Sequence, residues 1–221
     1  MAKLIAISDI HGCYYTFMSL LEKVKYNEDD DILVSMGDYI DRGKNSFEVV
    51  NHFINLQKRV GKDKCVCLLG NHEDMALNDW ESWKIPQNGS GKTRKSFYKN
   101  NTRIQNYYWW FKELPIVYDN GEIVFCHAGL FKPLISDHTR EEILWGNYNG
   151  IFYTKEPTEK QCIFGHWAMQ DVFKTPNGNI GIDTGVCFGN KLSALVIYDN
   201  KDMPEIFSIP VDERDCNDRK S

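Results

Sequence analysis

Short apolar runs recur along the chain, and each stops at a polar loop that carries glycine. LIAIS (residues 4–8) leads into Asp9-Ile10-His11-Gly12, DILVSM (31–36) into Gly37-Asp38, and CVCLL (65–69) into Gly70-Asn71-His72-Glu73. EIVFC (122–126) leads into His127-Ala128-Gly129, and QCIF (161–164) into Gly165-His166. Short apolar runs bounded by Gly, Asp and Asn predict buried strands. Between the first three runs the period changes to that of a helix. Phe17, Leu20, Leu21 and Val24 share one face of 14–25, and Val50, Phe53, Ile54 and Gln57 share one face of 47–60. Strand and helix in alternation predict βαβ units with right-handed crossovers. After Phe125 the pattern turns to hairpins, with an Asn177-Gly178 turn inside residues 171–185. The expectation is an α/β fold, a mixed sheet or two-sheet sandwich covered by helices. One domain would span 1–210, followed by a polar tail, 211–221, that frays.

Composition narrows the class. The 221 residues suffice for one large α/β domain, and 42% hydrophobic against 26% charged residues is ordinary for a chain that fills a core. A net charge of −5 argues against a general nucleic-acid or acidic-membrane binder, and no apolar run is long enough to span a membrane. MAKLIAISD does not read as a signal peptide. The seven cysteines include no CxxC pair and read as reduced, mostly buried thiols of a cytoplasmic protein. His52 and His138 read as surface residues, and the acidic run from Glu28 to Asp31 as a solvated turn. Basic and aromatic residues interleave from Lys92 to Phe111. They read as a basic loop near the site and then a core helix ending at Pro115, rather than as a stacking platform for single-stranded nucleic acid. NGSGKT (88–93) is not a phosphate-binding P-loop, because that pattern needs glycine where Pro86 stands.

The polar residues that open the five loops carry the chemistry. Ligands of open α/β sheets bind at the carboxyl ends of the strands. Asp9, His11, Asp38, Asn71, His127 and His166 would therefore converge on one edge. Two carboxylates, three imidazoles and one amide oxygen, with no cysteine, do not resemble a structural zinc site. They suit Mn, Fe or Zn with positions left open for water. Six side chains exceed the needs of one catalytic ion and fit two ions that share a carboxylate. Two divalent cations against two carboxylates leave positive charge in surplus, and Arg42 adds more, so the guest is a phosphate. Asp38 would bridge the ions and Arg42 would hold the phosphate. Asp41 would orient His72, which would protonate the departing oxygen.

Taken in order, SDIHG, GDYIDRG, GNHE, HAG and FGH resemble the metal-dependent phosphoprotein phosphatase family, especially its small bacterial and phage members. The resemblance runs from Lys3 to about Leu195. It includes residues 88–96, with Ser90 where the family's second glycine is usual, and residues 182–195. It implies a calcineurin-like αββα sandwich of mixed sheets flanked by helices, with a dinuclear centre, Mn²⁺ foremost. Asp9, His11 and Asp38 would hold one ion, and Asp38, Asn71, His127 and His166 the other. His72 would be the acid, oriented by Asp41, with Arg42 on the phosphate. One departure stands out: where bacterial members carry Leu-Trp-x-Arg, this chain has Leu144-Trp145-Gly146-Asn147. Asn147 replaces the second phosphate clamp, a loss of about 1.5–3 kcal/mol of binding.

The reading is a cytoplasmic metal-dependent phosphomonoesterase, a protein serine/threonine phosphatase in which a metal-bound hydroxide attacks directly, with no phosphoenzyme. Its substrates would be phosphoproteins or phosphorylated small molecules; membrane and nucleic-acid partners are not expected. A symmetrical bis(5'-nucleosyl)-tetraphosphate hydrolase is the alternative within the same chemistry. A phosphate- or phosphopeptide-binding module without turnover is the alternative outside it.

Overall fold

In β1 (Lys3–Ile7) successive side chains serve two different cores. Ile5 and Ile7 pack under helices, whereas Ala6 faces a second sheet. Burial on both faces is why the run reads as continuously apolar rather than alternating. The computed structural model describes residues 2–198 and 203–215. In chain order β1 is followed by α1 (Tyr14–Lys23), β2 (Ile32–Ser35), α2 (Ser46–Val60) and β3 (Cys65–Cys67). The three strands pair in parallel, as alternation of strand and helix predicts. Then come α3 (Asn71–Asn78), α4 (Trp80–Trp83), α5 (Ser90–Lys99), α6 (Tyr108–Glu113), β4 (Val117–Asp119), β5 (Ile123–Cys126), α7 (Arg140–Trp145) and α8 (Tyr148–Tyr153). Five strands complete the chain: β6 (Gln161–Phe164), β7 (Phe173–Lys174), β8 (Ile180–Gly181), β9 (Lys191–Tyr198) and β10 (Glu205–Pro210).

The strands form two mixed five-stranded sheets, ordered β10-β9-β1-β2-β3 and β4-β5-β6-β8-β7. Ala6, Val34, Val66 and Leu68 from the first meet Phe125, Ile163 and Ile182 from the second. Val124, Cys126, Cys162 and Phe164 point the other way, into a third core beneath α7 and α8. This is the αββα sandwich that the sequence implies. The short antiparallel pair β7–β8 flanks the expected Asn177-Gly178 turn, which Gly178 N–H closes onto Thr175 O at 3.0 Å.

Several local expectations need correction. Helix α1 stops at Lys23 because Lys25 takes a left-handed conformation (φ 53°). Its N–H bonds Glu22 O while Tyr26 N–H bonds Leu21 O, a Schellman ending. The basic loop at 92–99 is instead helix α5, which turns Thr93, Ser96 and Phe97 inward. His138 is buried, accepting at Nε2 from the N–H groups of Phe131 and Lys132 and donating from Nδ1 to Leu134 O. His52 is half-buried among Tyr14, Phe17 and Phe53 rather than on the surface. Asp31, expected in a solvated turn, is buried and takes the N–H groups of Lys3 and Asn27. The first residues of the tail are docked: Asp215 accepts from the N–H groups of Tyr15 and Thr16 at the start of α1, and from Asn45 Nδ2. Residues 216–221 lie outside the described ones, Cys216 among them. Of the other six cysteines, five are buried free thiols and Cys187 is partly exposed.

Candidate metal centre and active site

The loop after β2 is held in a shape that costs energy. Asp38, Asp41 and Arg42 have φ of 53°, 74° and 62°, and His11 and His166 have 48° and 66°. Left-handed backbone in non-glycine residues costs about 1–3 kcal/mol each, so something must over-determine it. Glu73, fully buried at the start of α3, does most of this. Its Oε2 accepts from the N–H groups of Asp38 (2.9 Å) and Gly70 (3.2 Å), and its Oε1 from those of Tyr39 (2.9 Å) and Ile40 (3.1 Å). The loop after β1 locks onto the same segment through His11 N–H to Asp38 O and Gly43 N–H to His11 O, both 2.8 Å. Two glycines make room: a Cβ on Gly70 would collide with Asp38 Oδ1, and one on Gly165 with Asp9 Oδ1.

These constraints bring together the six ligands expected from sequence. His11 Nδ1 donates to Ile40 O (2.7 Å) and His127 Nδ1 to Met36 O (2.8 Å), so each unprotonated Nε2 faces Asp38 Oδ2, at 3.3 and 3.6 Å. Backbone anchoring of one ring nitrogen fixes the tautomer a metal needs at the other. Asn71 Oδ1 lies 2.8 Å from His127 Nε2 and 3.3 Å from His166 Nδ1. His166 N–H donates to both carboxylate oxygens of Asp9, at 3.0 and 3.1 Å. Two tight donor groups result, Asp9-Asp38-His127 and His11-Asp38-His72, each with all its donor atoms within 4.8 Å of one another. Asp38 is common to both, as a bridging ligand must be. The grouping differs from the allotment the resemblance implies, in that Asp9 clusters with His127 and His72 with His11.

The electrostatics suit cation binding. Burial holds His11 well below the usual imidazole range and takes His166 down to about 3, with His127 adding to the effect. Burial pushes the Asp38 carboxyl up, yet the imidazoles of His127, His72 and His11 outweigh it and hold the group low. Burial, with the charges of Asp183 and Asp38, pushes Asp9 well above the carboxylate range. That crowding of negative charge is what divalent ions relieve. Asp183 escaped the sequence reading; it is buried at the end of β8, accepts from Gly185 N–H at 2.9 Å, and is pushed up to about 6, chiefly by burial.

His72 lies edge-on to His11, ring centroids 4.7 Å apart, but is anchored by a carboxylate rather than by a backbone carbonyl. Its Nδ1 lies 2.6 Å from Asp41 Oδ2, which also accepts from Trp83 Nε1 (2.7 Å), while Thr93 Oγ1 donates to Asp41 Oδ1 (2.7 Å). The free Nε2 is 4.0 Å from Asp38 Oδ2. Arg42 donates from Nη1 to His11 Nε2 at 2.6 Å and lies 5.1 Å from the Phe188 ring centroid. One imidazole lone pair cannot serve both Arg42 and a metal, so an ion held by His11 would leave the guanidinium available to a phosphate. Asn147 is exposed and acts as a helix cap: its Oδ1 accepts from Gly150 N–H at 2.9 Å, at the start of α8. Arg140, at the start of α7, is paired with Asp74 at 2.8 Å.

The chain resembles known proteins along most of its length. A family model for calcineurin-like phosphoesterases matches residues 2–199. The asymmetrical bis(5'-nucleosyl)-tetraphosphatase PrpE of Anoxybacillus flavithermus is 27% identical, over 86% of this chain and 88% of that one. A symmetrical bis(5'-nucleosyl)-tetraphosphatase of Buchnera aphidicola is 25% identical over 88% and 95% of the two chains. Serine/threonine-protein phosphatase 2 of Salmonella typhimurium is 28% identical over 83% and 88%. Among solved structures, a candidate diadenosine tetraphosphatase superposes with a TM-score of 0.69 at 23% identity, over 96% and 94% of the chains.

Proposed function

The chain belongs to the calcineurin-like phosphoesterase family, and from that premise we propose that it hydrolyses the polyphosphate bridge of bis(5'-nucleosyl) tetraphosphates. It is an enzyme, a metal-dependent hydrolase of phosphoesters. The observation that carries the substrate is a pair of flat aromatic faces on the rim. Phe188, 60% exposed, lies beside Arg42; Trp145, 39% exposed, has its ring centroid 6.5 Å from that of His166. Nucleobases stack on such faces. A phosphorylated serine has no plane to offer them. Asn147, capping a helix, also leaves the site without the second arginine expected of a phosphomonoester clamp.

Asp9, His11, Asp38, Asn71, His127 and His166 would hold two divalent ions, with Asp38 shared. When bound, such a pair supplies a water of lowered pKa and Lewis-acid stabilisation of the phosphoryl oxygens. The chain's own residues do the rest. Arg42 grips the scissile phosphate as a planar fork. His72 donates its Nε2 proton to the departing oxygen, and Asp41 holds the opposite nitrogen. Glu73 keeps the loop that carries Asp38, Asp41 and Arg42 in its strained shape.

A second reading is a phosphoprotein phosphatase, favoured by the likeness to the Salmonella serine/threonine phosphatase. Turnover of diadenosine tetraphosphate and of a phosphoserine peptide by the Mn²⁺-loaded protein separates the two. The expected result is a kcat/KM at least tenfold higher for the tetraphosphate; the reverse ratio would establish the phosphatase reading. The products then set the mode of cleavage, two ADP for symmetrical and AMP with ATP for asymmetrical.

A further inference from the structure

Helix α5 has a second side. Thr93 faces inward to Asp41, whereas Arg94, Lys95 and Tyr98 face outward and form one wall of a cavity of about 380 Å³. Trp80, Arg103 and Ile104 line it as well, and no acidic side chain does. Tyr98 is 78% exposed at this cavity. Among the described residues Arg94, Lys95 and Arg103, the cations of the lining, have no carboxylate partner. Unpaired cations gathered around an aromatic hollow are unexpected in a chain of net charge −5.

We propose that this cavity binds a mononucleotide carrying two or three phosphates, at a site separate from the metal cradle. Three features select that ligand. The volume lies within the usual range of small-molecule sites. Tyr98 and Trp80 offer ring faces for a base, and Gln105 and Thr102 offer hydrogen-bonding groups for its edge. Arg94, Lys95 and Arg103 provide the charge for a phosphate tail, with arginine suited to grip phosphate oxygens in pairs. An extended acidic peptide would use the cations but has no ring for the hollow. The separation follows from the helix itself: α5 starts against Arg42, and Tyr98 lies eight residues on from Ser90, about 12 Å at 1.5 Å per residue. The site does not depend on which ester the metal centre cleaves.

The test is titration of the full chain with N-methylanthraniloyl-ADP in excess chelator, followed by fluorescence. Saturable binding to one site is expected, weakened at least tenfold in Arg94→Ala/Arg103→Ala and at least threefold in Tyr98→Ala, and unchanged in Arg42→Ala. All these positions except Arg42 are exposed, and an unchanged melting temperature will show that the variants fold. Loss of binding in Arg42→Ala with retention in Arg94→Ala/Arg103→Ala would overturn the proposal by moving the nucleotide to the metal cradle. Absence of saturable binding would overturn it outright. Tripolyphosphate displacing the probe as well as ADP does would reduce the cavity to an anion site. A phosphopeptide displacing it better than ADP would reassign the surface to protein docking.

Discussion

Nδ1 of His72 lies 2.6 Å from Oδ2 of Asp41, and that pair decides which ring nitrogen is left for chemistry. Trp83 bonds the same oxygen and Thr93 the other, so Asp41 cannot rotate away. Asp41→Asn should lower kcat about 100-fold with KM little changed, the usual reach of a positioned acid. Trp83→Phe, which removes one of the three supports, should cost about tenfold. Both losses should be larger for a phosphoserine peptide than for diadenosine tetraphosphate, because an alkoxide needs its proton more than a departing nucleotide phosphate does. Equal losses on the two substrates would remove His72 from the acid role.

Glu73 receives four backbone N–H groups, two on each oxygen. In Glu73→Gln one of those oxygens becomes an NH₂ facing two donors. Urea unfolding should show a loss of about 2–3 kcal/mol. Mn²⁺ should bind the variant more weakly, since the same loop carries Asp38.

Asn147→Ala tests the cap against the clamp. Loss of an N-cap costs about 1 kcal/mol of stability. KM for either substrate should stay within a factor of two, and a larger rise would return Asn147 to the phosphate.

His52 supplies a pH dependence away from the metal centre. Burial, with a smaller contribution from Arg59, takes its pKa down to about 4, and its Nε2 has no hydrogen-bond partner. The folded protein therefore binds the proton less readily than the unfolded chain, whose imidazole titrates near 6.5. Stability from this group is complete above about pH 6.5 and falls as the pH drops toward 4, by about 3 kcal/mol at most. Urea midpoints of the wild type and His52→Gln should converge toward pH 4 relative to their separation at pH 7.

Chelation should abolish turnover, and added Mn²⁺ should restore it as two ions bind per chain. Because the ions bind only the folded cradle, the melting temperature should climb with free Mn²⁺, by the equivalent of about 2.7 kcal/mol at a hundredfold excess over Kd.

The candidate ligands were legible because their positions obey a local rule: an apolar strand ends and polar residues open the loop, with a glycine beside them. Asp9, His11, Asp38, Asn71, His127 and His166 all lie there, and the structure brings them together. The layer behind them was not legible. Trp83 and Thr93 sit 42 and 52 residues from Asp41, the first in a stretch with no expected element and the second in one that read as a loop. Helix α5 was missed because Gly89, Ser90 and Gly91 are poor helix formers, and inward packing of Phe97 outweighs propensity there. His52 and His138 misled because the burial of an imidazole is decided by elements that no local pattern specifies.

The place of β1 bears on how the protein is made. It lies in the middle of its sheet, with β2 along one edge and β9, residues 191–198, along the other. On a ribosome adding about 5–20 residues per second, the partner for that second edge arrives about 10–40 s after β1 itself. Throughout that time an apolar strand waits with unpaired N–H and C=O groups, open to any extended chain nearby. Yield in a cell should accordingly respond to growth temperature and chaperone supply more than to the stability of the finished fold.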